Sequence, residues 1–189
     1  MDNFGAIILA AGLSRRMQER NKLLLPIGAK PMIRHVVETY LAAVDGQVFV
    51  VTGFESDRVA EALDDLPIHF ADYAAGQPFS VRAGLLEAQG ARHFLIGLGD
   101  QPQLTKGDLI KLMAAHTVLD DRKISIPMHA ATRGNPIVVP FALRDRLLAD
   151  QASPGCGKFT RAHPELAQHI PMTQAGFFND IDTPAAFEA

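Results

Sequence analysis

An alternation of short apolar runs with amphipathic stretches constrains this chain more than any other feature. Phe4 to Leu9, Gln47 to Thr52, Ile68 to Ala71, His93 to Leu98, Lys123 to Pro127 and Ile137 to Val139 are too brief for buried helices and read as strands. Between them, Pro31 to Val44 places Ile33, Val36, Val37, Tyr40, Leu41 and Val44 at helical spacing, with Pro31 suited to a first turn. Asp57 to Leu66 and Phe141 to Ala149 also read as helices, and Gly76 to Ser80 reads as a loop followed by a helix to about Gln89. Thr105, with Asp108 three residues on, caps another, whose buried side is Leu109, Leu112, Met113 and His116. Strand and helix in alternation imply an α/β fold built on a doubly wound, mainly parallel sheet. The C-terminal third is less regular. Gln151 to His163 is expected to be loop-rich, Pro171 demotes its segment to an edge strand, and a short helical tail is expected after Pro184. A length of 189 residues suits one well-filled domain spanning 1–189.

The first strand runs into small residues, Ala10-Ala11-Gly12, and then into Arg15, Arg16, Arg20 and Lys22, opposed by Glu19. Bare backbone N–H groups beside positive side chains are suited to a polyphosphate. This basic character is local. The net charge is −3, so neither bulk nucleic-acid binding nor an anionic membrane is expected. With one cysteine, Cys156, no internal disulfide or thiolate metal site can form, which fits a reducing compartment. The apolar run precedes the arginines, whereas secretory signals place their cations first, and no stretch approaches transmembrane length. A cytoplasmic protein is expected.

In a doubly wound sheet, ligands bind beyond the carboxyl ends of the strands. The 10–22 loop, Thr52-Gly53 and Asp100 fall at such ends. Asp100 sits in Gly99-Asp100-Gln101-Pro102, a rigid setting for a carboxylate. Mg²⁺ keeps several waters and needs one or two protein carboxylates, so Asp100 with Asp182 or Asp180 would suffice. A helix-capping or turn role is the plain alternative for each. Other motifs fail. No G-x-x-x-x-G-K-[ST] or G-x-G-x-x-G occurs in the first loop, and Phe159 follows Gly155-Cys156-Gly157-Lys158 where Ser or Thr would be required. Ser14 is not in a G-x-S-x-G elbow. Cys156 reads as incidental, on a loop that leaves it open to exposure.

Leu9-Ala10-Ala11-Gly12-Leu13-Ser14-Arg15-Arg16-Met17, followed by Asn21-Lys22-Leu23-Leu24-Leu25-Pro26, resembles the MobA-like nucleotidyltransferases, and within them the molybdenum cofactor cytidylyltransferase branch. The resemblance continues through Ser80-Val81-Arg82-Ala83-Gly84-Leu85, Gly99-Asp100-Gln101-Pro102, Arg133-Gly134-Asn135-Pro136 and Asp180-Ile181-Asp182-Thr183-Pro184. It implies a Rossmann-like nucleotidyltransferase fold, with about 1–105 as the nucleotide-binding half and about 106–189 as the acceptor-binding half. Leu9, Ala10, Ala11 and Gly12 would meet the base and triphosphate, and Arg16 and Lys22 would neutralise the phosphates. Thr52, Gly53 and Ser80 would border the base or ribose, Asp100 and Asp182 would carry Mg²⁺, and Asn135 would face the acceptor. Arg16, Lys22 and Asp100 would be the catalytic set.

The implied reaction transfers CMP from CTP to the phosphate of a molybdopterin-type acceptor, releasing pyrophosphate. The product would pass to a recipient molybdoenzyme or its chaperone. Asn21-Lys22-Leu23-Leu24-Leu25-Pro26, and Ala11 where the guanylyl branch usually has glycine, favour CTP over GTP. The chain departs from the pattern at Gln18, at Gln77-Pro78-Phe79, and at Ser153-Pro154-Gly155-Cys156-Gly157-Lys158, where the branch often carries a G-D-x-G-A-R-like segment. Three alternatives stay open: transfer from GTP, a different small acceptor such as a sugar phosphate, and a non-catalytic cofactor carrier.

Overall fold

The computed structural model describes residues 3–12, 21–72, 79–149 and 156–181. Its organising strand is β1 (Phe4–Ala10), apolar throughout because both of its faces are covered. β1 pairs in parallel with β4 (Val48–Thr52) on one side and with β6 (His93–Leu98) on the other. β5 (His69–Asp72) extends the sheet beyond β4. Beyond β6 lie β9 (Ile137–Pro140), β7 (Ile124–His129) and β10 (Ala167–Pro171), so the order is β10-β7-β9-β6-β1-β4-β5. β8 (Thr132–Arg133) pairs with β7. β9 is antiparallel to both of its neighbours, while β7 and β10 run parallel. The sheet is therefore mainly parallel, as the strand–helix alternation implies.

Helices cover both faces. α1 (Met32–Ala43), α2 (Ser56–Glu61) and α4 (Lys106–Val118) bury Val36, Val37, Tyr40, Val59, Leu109 and Leu112 against one face. α3 (Ser80–Glu87), α5 (Arg144–Ala149) and α6 (Cys156–Ala162) bury Leu85, Leu147 and Phe159 against the other. The α4 start is a complete capping box: the Thr105 hydroxyl accepts from the Asp108 N–H, and the Asp108 carboxylate accepts from the Thr105 N–H. At the amino end of the sheet, buried His116 joins three elements. Its Nδ1 lies 2.8 Å from Ser125 Oγ and its Nε2 lies 3.0 Å from His93 Nδ1. No helix among the described residues is long and apolar enough to cross a membrane.

Several elements differ from the sequence expectations. The helix expected over Asp57 to Leu66 stops at Glu61, because the Leu63 and Leu66 amides reach back three residues instead of four. Arg34 holds that tightened end by donating to the Ala62 carbonyl and the Asp65 carboxylate. The helix expected from Phe141 begins as a 3₁₀ turn over Phe141–Leu143 before α5. The expected loop from Gln151 to His163 contains α6, and Cys156 is buried there and not exposed. The small hairpin β2 (Pro26–Ile27) with β3 (Lys30–Pro31) has no periodic signal to announce it. Arg16, the Gly76 loop up to Pro78, Asp182 and the expected tail lie outside the described residues.

Candidate active site

The parallel register sets the level of the site. Ala10 is paired with Thr52 and Leu9 with Leu98, so the ends of β1, β4 and β6 form one ledge. The Gly99 N–H donates to the Leu9 carbonyl at 3.0 Å, extending the ladder by one residue and fixing the backbone just before Asp100. Gly99 is tightly enclosed, since a methyl group there would lie 2.9 Å from Ile33 Cδ1. Gly53 is equally tight: a methyl group would lie 2.9–3.1 Å from the Cβ, Cα and carbonyl oxygen of Ala11. Its lack of a side chain lets the end of β4 touch the small-residue turn after β1.

Lys22 arrives on a 3₁₀ turn, Lys22–Leu24. Asn21 anchors that turn twice. Its side-chain Oδ1 accepts from the Leu23 N–H at 3.1 Å, and its side-chain Nδ2 donates to the Phe54 carbonyl at 3.1 Å. Leu23 is sunk in the core. The turn thus carries Lys22 to the carboxyl end of β6, where its Nζ donates to Asp100 Oδ2 at 2.5 Å. The two side chains are 11% and 15% exposed, so this pair is largely withdrawn from solvent.

The chain returns over Asp100 near its C-terminus. The Ile181 N–H donates to the Asp100 carbonyl at 3.0 Å. Buried Gln101 donates to the Phe177 carbonyl at 3.3 Å, and the same carbonyl accepts from the Asn135 N–H at 2.8 Å. One oxygen therefore ties the Asp100 loop to Asn135. Gly176 permits this docking, as a methyl group there would lie 2.7 Å from the Leu104 nitrogen.

A cavity of about 280 Å³ opens beside the ledge, between β6, β9, α3 and α6. Leu9, Ile96, Leu98 and Val81 make its apolar surface, and Arg133 and Asn135 are its polar lining. The Arg133 Nη2 donates to Thr160 Oγ1 at 2.7 Å. Burial, with Arg161 nearby, pushes the Arg133 guanidinium below its ordinary pKa. Cys156 lines the same cavity, and burial pushes its thiol up to about 12, so it presents a neutral, apolar surface. Ser80 opens α3, next to Val81 of the cavity lining. Its hydroxyl is buried and has no hydrogen-bond partner among the described residues, so it is placed to receive one from a ligand.

Of the residues singled out in the sequence, Leu9, Ala10, Ala11, Gly12, Lys22, Thr52, Gly53, Ser80, Asp100 and Asn135 belong to the strand-end ledge, the Lys22 turn, the α3 start and the cavity just described. Three further contributors lie outside the residues assigned a role in the sequence. Arg133 stands in the Arg133-Gly134-Asn135-Pro136 motif, where its charge is the available signal, and Cys156, incidental in the sequence, lines the cavity. Gln101, inside its own motif, acts through the Phe177 carbonyl, which no local pattern announces.

A doubly wound sheet with a buried lysine–carboxylate pair and a cavity beyond its central strands puts the candidate site where folds of this class bind their ligands. Residues 6–167 match the MobA-like NTP transferase domain, and the chain belongs to that family. It is 26% identical over 188 residues to nicotine blue oxidoreductase of Paenarthrobacter nicotinovorans, covering 94% of this chain and 91% of that protein. It is 30% identical over 124 residues to the bifunctional protein GlmU of Symbiobacterium thermophilum, covering 64% of this chain but only 26% of that one. The chain thus spans about a quarter of the length of that GlmU relative. Among solved structures, a nucleotidyl transferase from Methanothermobacter thermautotroptrophicus superposes with a TM-score of 0.82 at 22% identity, covering 100% of this chain and 95% of that one. Rv0371c of Mycobacterium tuberculosis in complex with manganese superposes at 0.77 and 19% identity, covering 98% and 96%. A CMP:2-keto-3-deoxy-manno-octonic acid synthetase complexed with CTP superposes at 0.72 and 17%, covering 98% and 95%. These likenesses establish the fold.

Proposed function

We propose that this protein transfers CMP from CTP to the phosphate of a molybdenum-bound pterin, releasing pyrophosphate. The observation that carries the reading is the Lys22–Asp100 pair beyond the ends of β1 and β6, next to a cavity lined by Arg133 and Asn135. In the reaction an acceptor phosphate oxygen attacks the α-phosphorus, a new phosphoanhydride forms, and the bond to the β-phosphate oxygen breaks. The leaving pyrophosphate takes that electron pair. No covalent enzyme intermediate is required, so positioning and charge neutralisation carry the catalysis.

Ala10, Ala11 and Gly12 offer backbone amides to the triphosphate, with Thr52, Gly53 and Ser80 bordering the nucleoside. Lys22 and Arg16 neutralise the β- and γ-phosphates. Asp100, with Asp182, would hold Mg²⁺, and the site fits such an ion. A cation already stands on Asp100 in the form of the Lys22 ammonium. When bound, Mg²⁺ would supply Lewis-acid polarisation of the phosphates. Asn135 and Arg133 orient the anionic acceptor in the cavity, and the apolar surface of Leu9, Val81 and Leu98 takes its planar body.

Fold does not dictate reaction, and a 26%-identical relative bears the name of an oxidoreductase. Support for nucleotidyl transfer comes from the site: a buried cation held on a carboxylate suits a triphosphate and its metal. Support for CTP comes from the resemblance and from Ala11. Melting with CTP, GTP, ATP and UTP, each with and without Mg²⁺, tests the reading. A ligand at about a hundred times its Kd stabilises the folded state by ~2.7 kcal/mol. A magnesium-dependent shift confined to CTP is the expected outcome, followed by pyrophosphate release once the pterin substrate is added. A shift confined to GTP would move the donor to guanylyl transfer, and release with sugar phosphates would change the acceptor. Tight binding without release would leave a carrier, and no shift with any nucleotide would sink the proposal.

A further inference from the structure

We infer that Arg161 is a second anion-binding arm of the cavity, acting with Arg133 to take a phosphate monoester in preference to a singly charged diester, and that Thr160 positions Arg133 for this. The inference rests on the proposed reading of the cavity as the acceptor site. Arg133 ends β8 and lines the cavity. Its Nη2 donates to Thr160 Oγ1 at 2.7 Å, and buried Thr160 sends its own proton back along α6, to the Cys156 carbonyl at 2.9 Å. A hydroxyl has one proton, so that bond leaves only lone pairs for Arg133 and fixes which way the oxygen faces. Gly157 is part of the lining too, and Arg161, one turn further along α6, folds back over it. The Arg161 Nη1 lies 3.7 Å from where a methyl group on Gly157 would stand. Glycine thus puts no side chain between Arg161 and the cavity.

Two guanidiniums therefore approach the same wall. Among the described residues neither forms an ion pair with a carboxylate. Arg133 spends one N–H on Thr160, and the remaining donors of its fork are left for a ligand. Burial and the Arg161 charge both work against the charged form of Arg133. Two like charges that disfavour each other are both relieved by one doubly charged anion, and the planar fork of arginine matches the oxygens of a phosphate. The apolar surface of Leu9, Val81 and Leu98 lowers screening and so raises the worth of each charge. The proposed reaction gives the preference a use. The acceptor phosphorus carries two negative charges before it attacks and one after the phosphoanhydride has formed. A grip built for two charges holds the substrate more tightly than the product and so favours release.

The test is calorimetric titration, without nucleotide, with 1-naphthyl phosphate and with its methyl diester, at a pH well above the second phosphate pKa of about 6. The flat ring suits the apolar lining, and the two probes differ by one charge. The wild type should bind the monoester at least about tenfold more tightly than the diester. Arg161→Met should lose about tenfold for the monoester, the scale of a hydrogen bond between charged groups, and little for the diester. Thr160→Val should erode the same preference, and Thr160→Ser, which keeps the hydroxyl, should restore it. Equal affinity of the wild type for both probes would overturn the inference, as would binding of neither. Monoester binding that ignores Arg161→Met would also overturn it, since the probe would then sit elsewhere. An equal loss for both probes in Thr160→Val would make Thr160 merely structural and remove its part. Should Thr160→Val fail to fold, the exposed Arg161 decides, because its side chain is no part of the core. Selective monoester binding with no pyrophosphate release from CTP would keep this inference while the transferase reading fell. Release with an unchanged acceptor KM in Arg161→Met would do the reverse.

Discussion

The Tyr40 hydroxyl lies against the backbone of Gly97, where a methyl group would collide with the phenol oxygen. The contact locks α1 onto the strand that leads to Asp100. The hydroxyl is buried without a hydrogen-bond partner among the described residues, and burial pushes the phenol well above its ordinary pKa. Gly97→Ala should therefore destabilise the fold by at least ~1–3 kcal/mol through overpacking. Tyr40→Phe should be neutral or stabilise by up to ~1 kcal/mol, since an unpaired buried hydroxyl is lost. In urea denaturation the double variant should be less damaged than the sum of the singles, because the two groups share one space. Strict additivity would argue against the contact.

Gly53 should be as sensitive in function as Gly97 is in stability. A side chain at Gly53 meets Ala11 Cα and the Ala11 carbonyl, which cannot rotate away. Gly53→Ala is expected to push the small-residue turn off the ledge and weaken triphosphate affinity by about tenfold, or 1.4 kcal/mol. Calorimetric titration with CTP and Mg²⁺ measures this. Unchanged affinity would mean that the turn after β1 does not touch the nucleotide.

Asp100 and Lys22 should separate kinetically. Asp100→Ala is expected to lower turnover by at least about 100-fold, the scale seen when a group that stabilises developing charge is removed. Lys22→Ala should act first on the KM for the triphosphate. Steady-state pyrophosphate release distinguishes the two. Near-normal turnover in Asp100→Ala would remove the metal assignment.

Cys156 gives stability a pH dependence of defined sign. Its thiol is pushed up to about 12 by burial, against an unfolded value near ~8.5. The folded-state pKa is the higher, so the unfolded chain loses this proton first. The stabilisation is complete below the ordinary thiol range and is lost as pH rises toward about 12. Urea midpoints of the wild type should fall more steeply above pH ~9 than those of Cys156→Ala, a range set by the ordinary thiol pKa. Parallel curves would show that the thiol is not buried as described. Iodoacetamide at pH 8 should label the native thiol far more slowly than the unfolded one.

Local chemistry was enough to read most of the framework. Apolar runs gave away β1, β4, β6 and β7. Thr105 with Asp108 announced the start of α4, and Gly99-Asp100-Gln101-Pro102 marked a carboxylate at a strand end. These signals survive in a linear sequence because periodicity, caps and turns depend on residues only a few positions apart. α6 escaped because Gly155 and Gly157 flank its start and weaken any helical propensity. The helix is held by the burial of Cys156 and Phe159 and by the Arg133 bond to Thr160, none of which is local. α2 was overread for the opposite reason, its apolar spacing continuing past the point where Arg34 draws the chain into a turn.

The amino-acid sequence by itself determined the α/β class, the family motifs and the kinds of side chain available for chemistry. Only the tertiary structure decided which of them meet. Lys22 and Asp100 are 78 positions apart, and they touch because parallel pairing brings the ends of β1 and β6 to one level while Asn21 pins the intervening turn to the end of β4. The direction of β9 and the seating of Arg133 at the cavity were decided in the same way. Pairing direction and burial are free energies of the whole sheet, and a residue's neighbours along the chain hold no record of them.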